Sequence, residues 1–555
     1  MNSNKRAKLL RLMSPRNIAF IGGSEVEIAL REARRRKFRG ELWPVNPKRK
    51  EILGIKCFKT VEELPRAPDA SFIAVPAQLV PSIVKKLARI QAGGIVCYSA
   101  GFGETGMAGQ VLERELIENA GDLPIIGPNC YGFINYLENV ALWPFAHGGW
   151  SPGFGAAIIT QSGMLSSDIT MTQRSLPLTH MISVGNQSSV TIEDFLELLC
   201  ENSKVKAIGV HIEGIKDIEK FHCAALECLK SGVPIVVLKT GSSQIGSALA
   251  ATHTGSLSGE DNLYTALFER TGIIRVANPN QFLETIKFLC ISGVPKDDSL
   301  VAFTCSGGGA ALIADHAEKI KIRLPSYDQH AKKQIADLLP SIANVSNPLD
   351  YTTPIWGIPK KTYPVYKKAI QCSNAATALL LQDYPAAGLD ESEIFYLNDA
   401  KAFIKSVKEL KIPAAICSTF TENIGIKTRE LLISLGVSPL QGIEEALNAI
   451  KHASNYAQKR QTMKDTICRE LHKIPKNGSS EFLTEAESKT LLNKIGIETP
   501  KGFCLSQKYI LNNRIELKFP VALKLLSRTV LHKTDFGAVK INIQTNSELK
   551  SLSKK

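Results

Sequence analysis

The sequence contains no run of about 18 apolar residues, so no membrane-spanning helix is expected. Its N-terminus, Met1 to Arg11, is polar and basic and lacks the apolar stretch of a secretory signal. The 12 cysteines are scattered, with neither CxxC nor CxxC…H spacing. That argues against a zinc site and for reduced thiols, mostly small core residues, in a cytoplasmic protein. A secreted or membrane-integral protein is therefore not the expectation. A disordered tail and a small disulfide-stapled scaffold are also excluded. Of the 555 residues 44% are hydrophobic and 22% charged, enough apolar material for a core in every part of the chain.

At roughly 150 residues per domain, this length predicts three or four domains. Lys and Arg number 67 against 53 Asp and Glu, a net charge of +14. A basic balance suits anionic partners: nucleic acid, an acidic membrane surface or a phosphate-rich cofactor. The excess per residue is small, and a merely solvated basic surface fits it as well. The run Arg34-Arg35-Arg36-Lys37 reads as a solvated helix face rather than a nucleic-acid patch, because no aromatic residues interleave with it.

Short apolar, β-rich runs alternate with helix-like stretches from the start. The runs in the first part are Asn17–Gly23, Glu41–Pro47, Ala70–Ala77, Gly94–Gly101 and Pro124–Asn129. This alternation predicts a parallel sheet covered by helices on both faces. The pattern restarts twice, with runs from Gly155 to Asn278 and again from Leu300 to Gly442. The expected fold is therefore α/β, with a Rossmann-like domain over 1–140 and two further doubly wound domains over 141–295 and 296–453. The polar, Lys-rich stretch 454–482, with its Pro475-Lys476-Asn477-Gly478 turn, reads as a linker. A last unit, 483–555, opens with a helix-like Leu483–Gly496 and a strand-like Phe519–Leu525.

Where could chemistry sit? Gly22-Gly23-Ser24 makes a strand-to-helix turn at a carboxyl sheet edge, where open α/β folds bind ligands; as a partial GxGxxG it is a weak signal. Pro44-Val45-Asn46-Pro47-Lys48 and Val75-Pro76 close the next strands with rigid turns. Thr160-Gln161-Ser162-Gly163 and Thr304-Cys305-Ser306-Gly307-Gly308-Gly309 each join an apolar strand to an apparent helix. Helix N-termini offer free N–H groups and partial positive charge, which suit phosphate, although each could be only a tight turn. His253 sits among small residues in Ala251-Thr252-His253-Thr254-Gly255. A reachable neutral imidazole can act as a nucleophile; read locally, it could equally be a loop or core histidine. Glu213 ends the strand Val210-His211-Ile212-Glu213 and could hold one ring nitrogen of His253, turning the other toward attack. His211, alternating with Glu213, is expected to pack.

Taken together, these blocks resemble the NDP-forming acyl-CoA synthetases, the ADP-forming acetate–CoA ligase relatives of succinyl-CoA synthetase. Gly22-Gly23-Ser24, Pro44-Val45-Asn46-Pro47, Val75-Pro76-Ala77, Ser99-Ala100-Gly101-Phe102 and Gly127-Pro128-Asn129-Cys130 resemble that family's Rossmann-like CoA-binding domain. The resemblance implies CoA contacts from Gly22, Gly23, Ser24, Val45, Asn46, Pro47, Lys48, Val75, Pro76 and Asn129. Gln161-Ser162-Gly163 and Ser183-Val184-Gly185-Asn186 resemble its phosphohistidine domain; His253 then matches the phosphorylated histidine and Glu213 its carboxylate partner. Ser306-Gly307-Gly308 and Ser346-Asn347-Pro348-Leu349-Asp350 resemble its second flavodoxin-like ligase domain. Ser162, Gly163, Ser306, Gly307 and Gly308 would bind phosphate. The last unit is similar to the start of an ATP-grasp domain, which implies nucleotide binding by Lys524 and a second phosphoryl-carrying histidine at His532. Two departures stand out: Ser188-Ser189 replaces the family's usual Asp, and the later ATP-grasp strands with their Mg²⁺-binding carboxylates are not in this sequence.

The resemblance implies that a small carboxylic acid, CoA and ATP are interconverted with acyl-CoA, ADP and phosphate through an acyl phosphate and a phosphohistidine. CoA, ATP/ADP and Mg²⁺ would be the cofactors and substrates. A second chain carrying the rest of the ATP-grasp domain, and an oligomer, are expected partners; nucleic acid and membrane are not. The alternatives are a protein lysine acetyltransferase-like role, or a non-catalytic CoA-binding protein inactive through its incomplete ATP-grasp segment.

Overall fold

The computed structural model describes residues 1–247, 260–386, 388, 392–463, 482–530, 533–534 and 536–554. Two of the expected site residues, His253 and His532, lie outside them. The chain forms two compact units, Met1–Arg469 and Glu470–Lys555.

In the larger unit the expected α/β organisation is present as three sheets. The first is built from β1 (Asn17–Gly22), β2 (Glu41–Val45), β3 (Ala70–Ala74), β4 (Ile95–Cys97) and β5 (Ile125–Ile126), in the order β2-β1-β3-β4-β5 and parallel throughout. These strands are apolar on both faces because helices cover both, as parallel sheets require. Helix α1 (Ser24–Arg35) leaves the carboxyl end of β1.

The second sheet has seven strands: β6 (Gly132–Asn135), β7 (Val140–Leu142), β8 (Gly155–Thr160), β9 (Leu178–Ser183), β10 (Val205–Ile212), β11 (Ile235–Lys239) and β12 (Ile274–Val276). Their order is β12-β11-β10-β8-β9-β6-β7. Strands β8 to β12 are parallel, whereas β6 and β7 add an antiparallel edge. Residues 132–142 thus pair with the second sheet, although they run on directly from the last strand of the first. Helices α2 (Gly163–Met171) and α3 (Pro279–Ile291) pack on it.

The third sheet, β13 (Leu300–Thr304), β14 (Leu349–Asp350), β15 (Thr377–Leu381), β16 (Ala414–Ser418) and β17 (Ser438–Gln441), is parallel in the order β14-β13-β15-β16-β17. Helix α4 (Gly307–Lys319) follows β13, and α5 (Ile443–Met463) follows β17. Helix occupies the start of the stretch read as a linker from its polarity: α5 runs to Met463, with Ser454 and Tyr456 buried.

The cores are continuous across sheets. Phe20, Phe72 and Ile126 of the first pack in one cluster with Phe133, Ile182 and Val184 of the second. Phe282, Ile286 and Leu289 of α3 pack in another with Leu440 of β17 and Leu447 and Ile450 of α5. Shared apolar burial of this kind fixes the sheets relative to one another within the unit.

The smaller unit contains helix α6 (Glu485–Lys494) and an antiparallel pair, β18 (Val521–Lys524) with β19 (Val539–Ile543). Thr484 and Glu487 form a reciprocal capping box at the start of α6. Its core is small: Ile510, Ile515, Ile543 and Leu549 are buried.

Candidate active site

The carboxyl ends of β1 to β5 converge at one edge, and short polar side chains stitch their loops together. Asn46, after β2, donates its amide to the Gly22 carbonyl at 2.7 Å and accepts the N–H groups of Lys48 at 2.8 Å and Arg49 at 3.0 Å. Gly22 itself, at φ +149°, has no room for a side chain: a Cβ there would lie 2.1 Å from the Ala74 carbonyl oxygen of β3. Ser99, after β4, donates to the Val75 carbonyl at 2.6 Å and accepts the Val75 N–H at 3.2 Å. The Ser99 carbonyl in turn accepts the N–H of Asn129 at 3.0 Å. Gly22, Gly23, Ser24, Val45, Asn46, Pro47, Lys48, Val75, Pro76 and Asn129 are thereby brought to one edge, with Ser24, Pro47, Lys48, Pro76 and Asn129 exposed and Val45 packed inward.

A second-sheet loop closes on this edge. Asn186 donates its backbone N–H to Pro128 at 2.9 Å and its side-chain amide to Glu104. Gly185, at φ +53°, passes so close that a Cβ would lie 2.3 Å from the Pro128 carbonyl. Glu104 also accepts the N–H groups of Gly101 at 2.7 Å and Phe102 at 3.2 Å. Burial alone would raise its pKa; the Asn186 amide and these N–H groups outweigh it and hold the carboxyl below its ordinary value. Glu113 accepts Gly103 N–H at 2.7 Å and the Ser188 hydroxyl. Lys216 donates to the Asn186 carbonyl. Burial lowers its pKa, and Glu113 and Glu193 pull it back. Of these clamp residues, Glu104, Glu113 and Lys216 were not marked by the sequence, since no local spacing shows which loop a lone charge will meet.

At the second sheet's edge Ser162 caps α2, its hydroxyl accepting the N–H of Leu165 at 3.3 Å. Gln161 makes the decisive bridge. Its carbonyl oxygen accepts the N–H groups of Glu213 and, at 3.0 Å, Gly214; its amide donates to the Gly214 carbonyl at 2.6 Å. The backbone of Glu213, just after β10, is thus tied to the strand-to-helix turn at the end of β8. Lys239, at the end of β11, stands close by with its ammonium 4.6 Å from the Tyr264 ring centre. Burial lowers the Lys239 pKa; Asp261 and Glu213 raise it and Arg275 lowers it further. His211 packs as expected: it is buried, its Nε2 lies 3.0 Å from the Thr240 hydroxyl, and burial and Lys239 push its pKa down to about 4.

The third sheet contributes Ser306, Gly307 and Gly308 at the start of α4, all exposed. Ser306 caps the helix by accepting the Gly309 N–H at 3.2 Å. A Cβ on Gly307 would lie 3.5 Å from an Asp350 carboxylate oxygen, so Asp350 stands beside this N-terminus. Among the described residues, no hydrogen bond joins this turn to the Gln161–Glu213 pair.

Comparison with known proteins decides the family. Three family models match: a CoA binding domain over residues 16–136, a succinyl-CoA ligase like flavodoxin domain over 154–289, and an ATP-grasp domain over 474–554. The chain is 31% identical over 452 residues to the ADP-forming acetate–CoA ligase II subunit alpha of Pyrococcus furiosus, covering 95% of that subunit and 79% of this chain. The chain belongs to the ADP-forming acetate–CoA ligase family. It is also 28% identical over 559 residues to the ADP-forming acetate–CoA ligase I of Archaeoglobus fulgidus, covering 78% of that protein and 97% of this chain. In fold it is similar to the solved dinucleotide-forming acetyl-coenzyme A synthetase 1 of Ca. Korarchaeum cryptofilum in complex with phosphate and ADP. The TM-score is 0.72 at 23% identity, covering 83% of this chain and 99% of that one.

In this ligase-family chain the smaller unit places Lys524 in an ion-pair cluster. Its ammonium lies 2.9 Å from Glu485, which also pairs with Lys489 at 3.0 Å and Lys533 at 3.6 Å. Hydrogen bonds from Lys524 and Lys489 pull the Glu485 pKa down to about 2. Among the described residues, no three His, Cys, Asp or Glu side chains gather as a metal site, and no helix is long and apolar enough to cross a membrane.

Proposed function

We propose that this chain supplies the CoA and phosphoryl-transfer machinery of an ADP-forming acyl-CoA ligase. The reaction interconverts a carboxylic acid, CoA and ATP with acyl-CoA, ADP and phosphate. The acid oxygen attacks the phosphorus of phosphorylated His253, breaking the P–N bond and releasing the imidazole, to give an acyl phosphate; the CoA thiolate then attacks the acyl carbonyl and expels phosphate. In this reading His253 Nε2 or Nδ1 carries the phosphoryl group between acyl phosphate and nucleotide, splitting one difficult transfer into two. Glu213 holds the other ring nitrogen. The N-termini of α2 and α4, at Ser162-Gly163 and Ser306-Gly307-Gly308, supply preorganised N–H donors for the transferring group. The CoA phosphates and pantetheine lie along Gly22–Ser24, Val45–Lys48, Val75-Pro76 and Asn129.

The observation that carries this reading is the Gln161 bridge: its side chain ties the backbone of Glu213 and Gly214, and so the strand end bearing the carboxylate expected to serve the histidine, to the turn expected to hold the phosphate, in a chain of this family. The experiment is incubation of the chain with an acyl phosphate or ATP, followed by analysis of labelled protein. An acid-labile, base-stable phosphoenzyme is expected in the wild type and not in His253→Asn. Label that survives the substitution would remove His253 from its role.

Lys524 and His532 are proposed to meet the nucleotide. Mg²⁺ would neutralise nucleotide phosphates; the described side chains form no ready cluster for it, and no step here is assigned to it. A second polypeptide segment carrying further ATP-grasp structure is proposed to cover the smaller unit. Its exposed apolar residues, among them Phe503, Phe536 and Ile541, support that. So does the similarity to a protein named as an alpha subunit. An oligomer in the cytoplasm is proposed from the same reading.

A further inference from the structure

The basic run at the end of α1 is not a plain solvated face. Arg36 lays its guanidinium over the Tyr136 ring, 4.6 Å from the centre, and reaches Asn139 Oδ1 only at 3.5 Å. Its Nε is buried and has no hydrogen-bond partner among the described residues. Nor does any carboxylate among them pair with it, although burial of the group works against its charge. Trp150 Nε1 is a second buried donor left without a partner.

Arg36 and Trp150 line one cavity of about 360 Å³, together with Arg35, Lys37, Tyr136 and Asn139. Arg35 is answered by Glu32 at 2.6 Å, and it donates to the His147 carbonyl. His147 adds no charge of its own at neutral pH, since burial pushes its pKa down to about 4. Arg36 and Lys37 therefore bring two positive charges that nothing described on their side of the fold neutralises. A half-buried cation without a counter-charge is unfavourable, and neighbouring water compensates it only in part. The last carbonyls of α1 do not compete for the site: Glu32, Ala33 and Arg34 accept the N–H groups of Arg36, Phe38 and Lys37.

We propose that this cavity binds a small anion carrying two or more phosphate groups. A guanidinium offers N–H donors matched to phosphate oxygens, a neighbouring ammonium adds a point charge, and the Trp150 ring forms part of the wall. The cavity volume holds pyrophosphate with water, or a nucleoside diphosphate. The site is separate from the CoA edge. It lies at the C-terminal end of α1, and the Gly22–Ser24 turn lies at the N-terminal end, about 18 Å away for a 12-residue helix.

The test is equilibrium dialysis of the full chain with labelled pyrophosphate, paired with tryptophan fluorescence. Wild type should bind one more equivalent than the double variant Arg36→Gln/Lys37→Gln, and Trp150→Phe should lose the fluorescence change while keeping the dialysis count. ADP that displaces the label from this site identifies a nucleoside diphosphate; ADP that does not identifies an inorganic polyphosphate; both uphold phosphate recognition. An unchanged count in a double variant with wild-type circular dichroism overturns the proposal. So does citrate competing as well as pyrophosphate. Should the double variant fail to fold, Lys37→Glu at the exposed helix end decides: affinity at least tenfold weaker supports the site, and unchanged affinity overturns it.

Discussion

Asn186, in the loop after β9, donates its side-chain amide to Glu104, in the loop after β4. One carboxylate thereby joins the edge proposed for CoA to the sheet proposed for phosphoryl transfer. On that proposal both loops must be in register for a CoA thiol to meet an acyl phosphate, and this contact is what holds them so.

Glu104→Ala should therefore act on CoA before it acts on chemistry. The N–H groups of Gly101 and Phe102 lose their acceptor, and leaving such donors unmade costs about 1–3 kcal/mol. We expect the KM for CoA to rise about tenfold or more, with a smaller change in phosphoenzyme formation from acyl phosphate, which needs no CoA. Acid should reveal the same group. The folded-state pKa of Glu104 lies below its unfolded value. Its contribution is complete above the unfolded carboxylate range and fades as pH falls through the folded value. Wild type minus Glu104→Ala stability, measured by urea unfolding from pH 7 downward, should shrink in that acidic window. A constant difference would show that the carboxylate charge is not what holds the loops.

Gln161→Ala tests the other half of the site. It removes the side-chain partner of the Glu213 and Gly214 N–H groups and of the Gly214 carbonyl and leaves the Ser162 cap in place. If Glu213 orients the phosphorylated histidine, the rate of phosphoenzyme formation should fall about 10–100-fold, the range in which partners that orient a reactive imidazole act. The KM for CoA should stay near wild type. A variant that loses CoA affinity and keeps its phosphorylation rate would assign Gln161 to the fold alone.

How much of this was written in the sequence depends on the range of each interaction. The parallel strands were legible because a strand covered on both faces is a short continuous apolar run, as in Ile235–Lys239 and Leu300–Thr304. So were the turns at Gly22 and Ser162, where local backbone needs select glycine and a capping serine. The antiparallel edge β6–β7 was not, because its strands are only four and three residues long and lie just after a strand of another sheet. Nor could the Glu104–Asn186 contact be foreseen, since 82 residues separate the partners and no periodicity links them. The basic run Arg34–Lys37 was read by its composition alone, whereas its surroundings come from Tyr136 and Trp150, far along the chain. Helix α3 hid its charges for the opposite reason: Glu284 and Lys287 sit in an otherwise apolar segment that reads as plain core.

Those two charges carry the last prediction. Glu284 and Lys287 are fully buried and pair at 2.9 Å; Glu284 also accepts from Arg174 at 2.9 Å and from the N–H of Gln441, in β17, at 3.0 Å. The carboxylate thus ties the second sheet's helix to the third sheet. Burial pushes the Lys287 pKa down to about 8, against the pull of Glu284. Between about 8 and the unfolded value near 10.4 the unfolded chain keeps a proton that the folded chain has lost, so stability rises with pH across that window, by up to about 3 kcal/mol. Lys287→Met should abolish this rise. Its cost at pH 7 should be modest, because Glu284 retains Arg174 and the Gln441 N–H. Glu284→Gln should cost far more, about 3–5 kcal/mol, since it leaves the buried Lys287 and the partly buried Arg174 facing a neutral side chain. Urea unfolding of the wild type and both variants from pH 7 to 10.5 checks the ordering. If Lys287→Met keeps the alkaline rise, the titrating group lies elsewhere. If Glu284→Gln is as stable as Lys287→Met, the carboxylate is not what joins the two sheets.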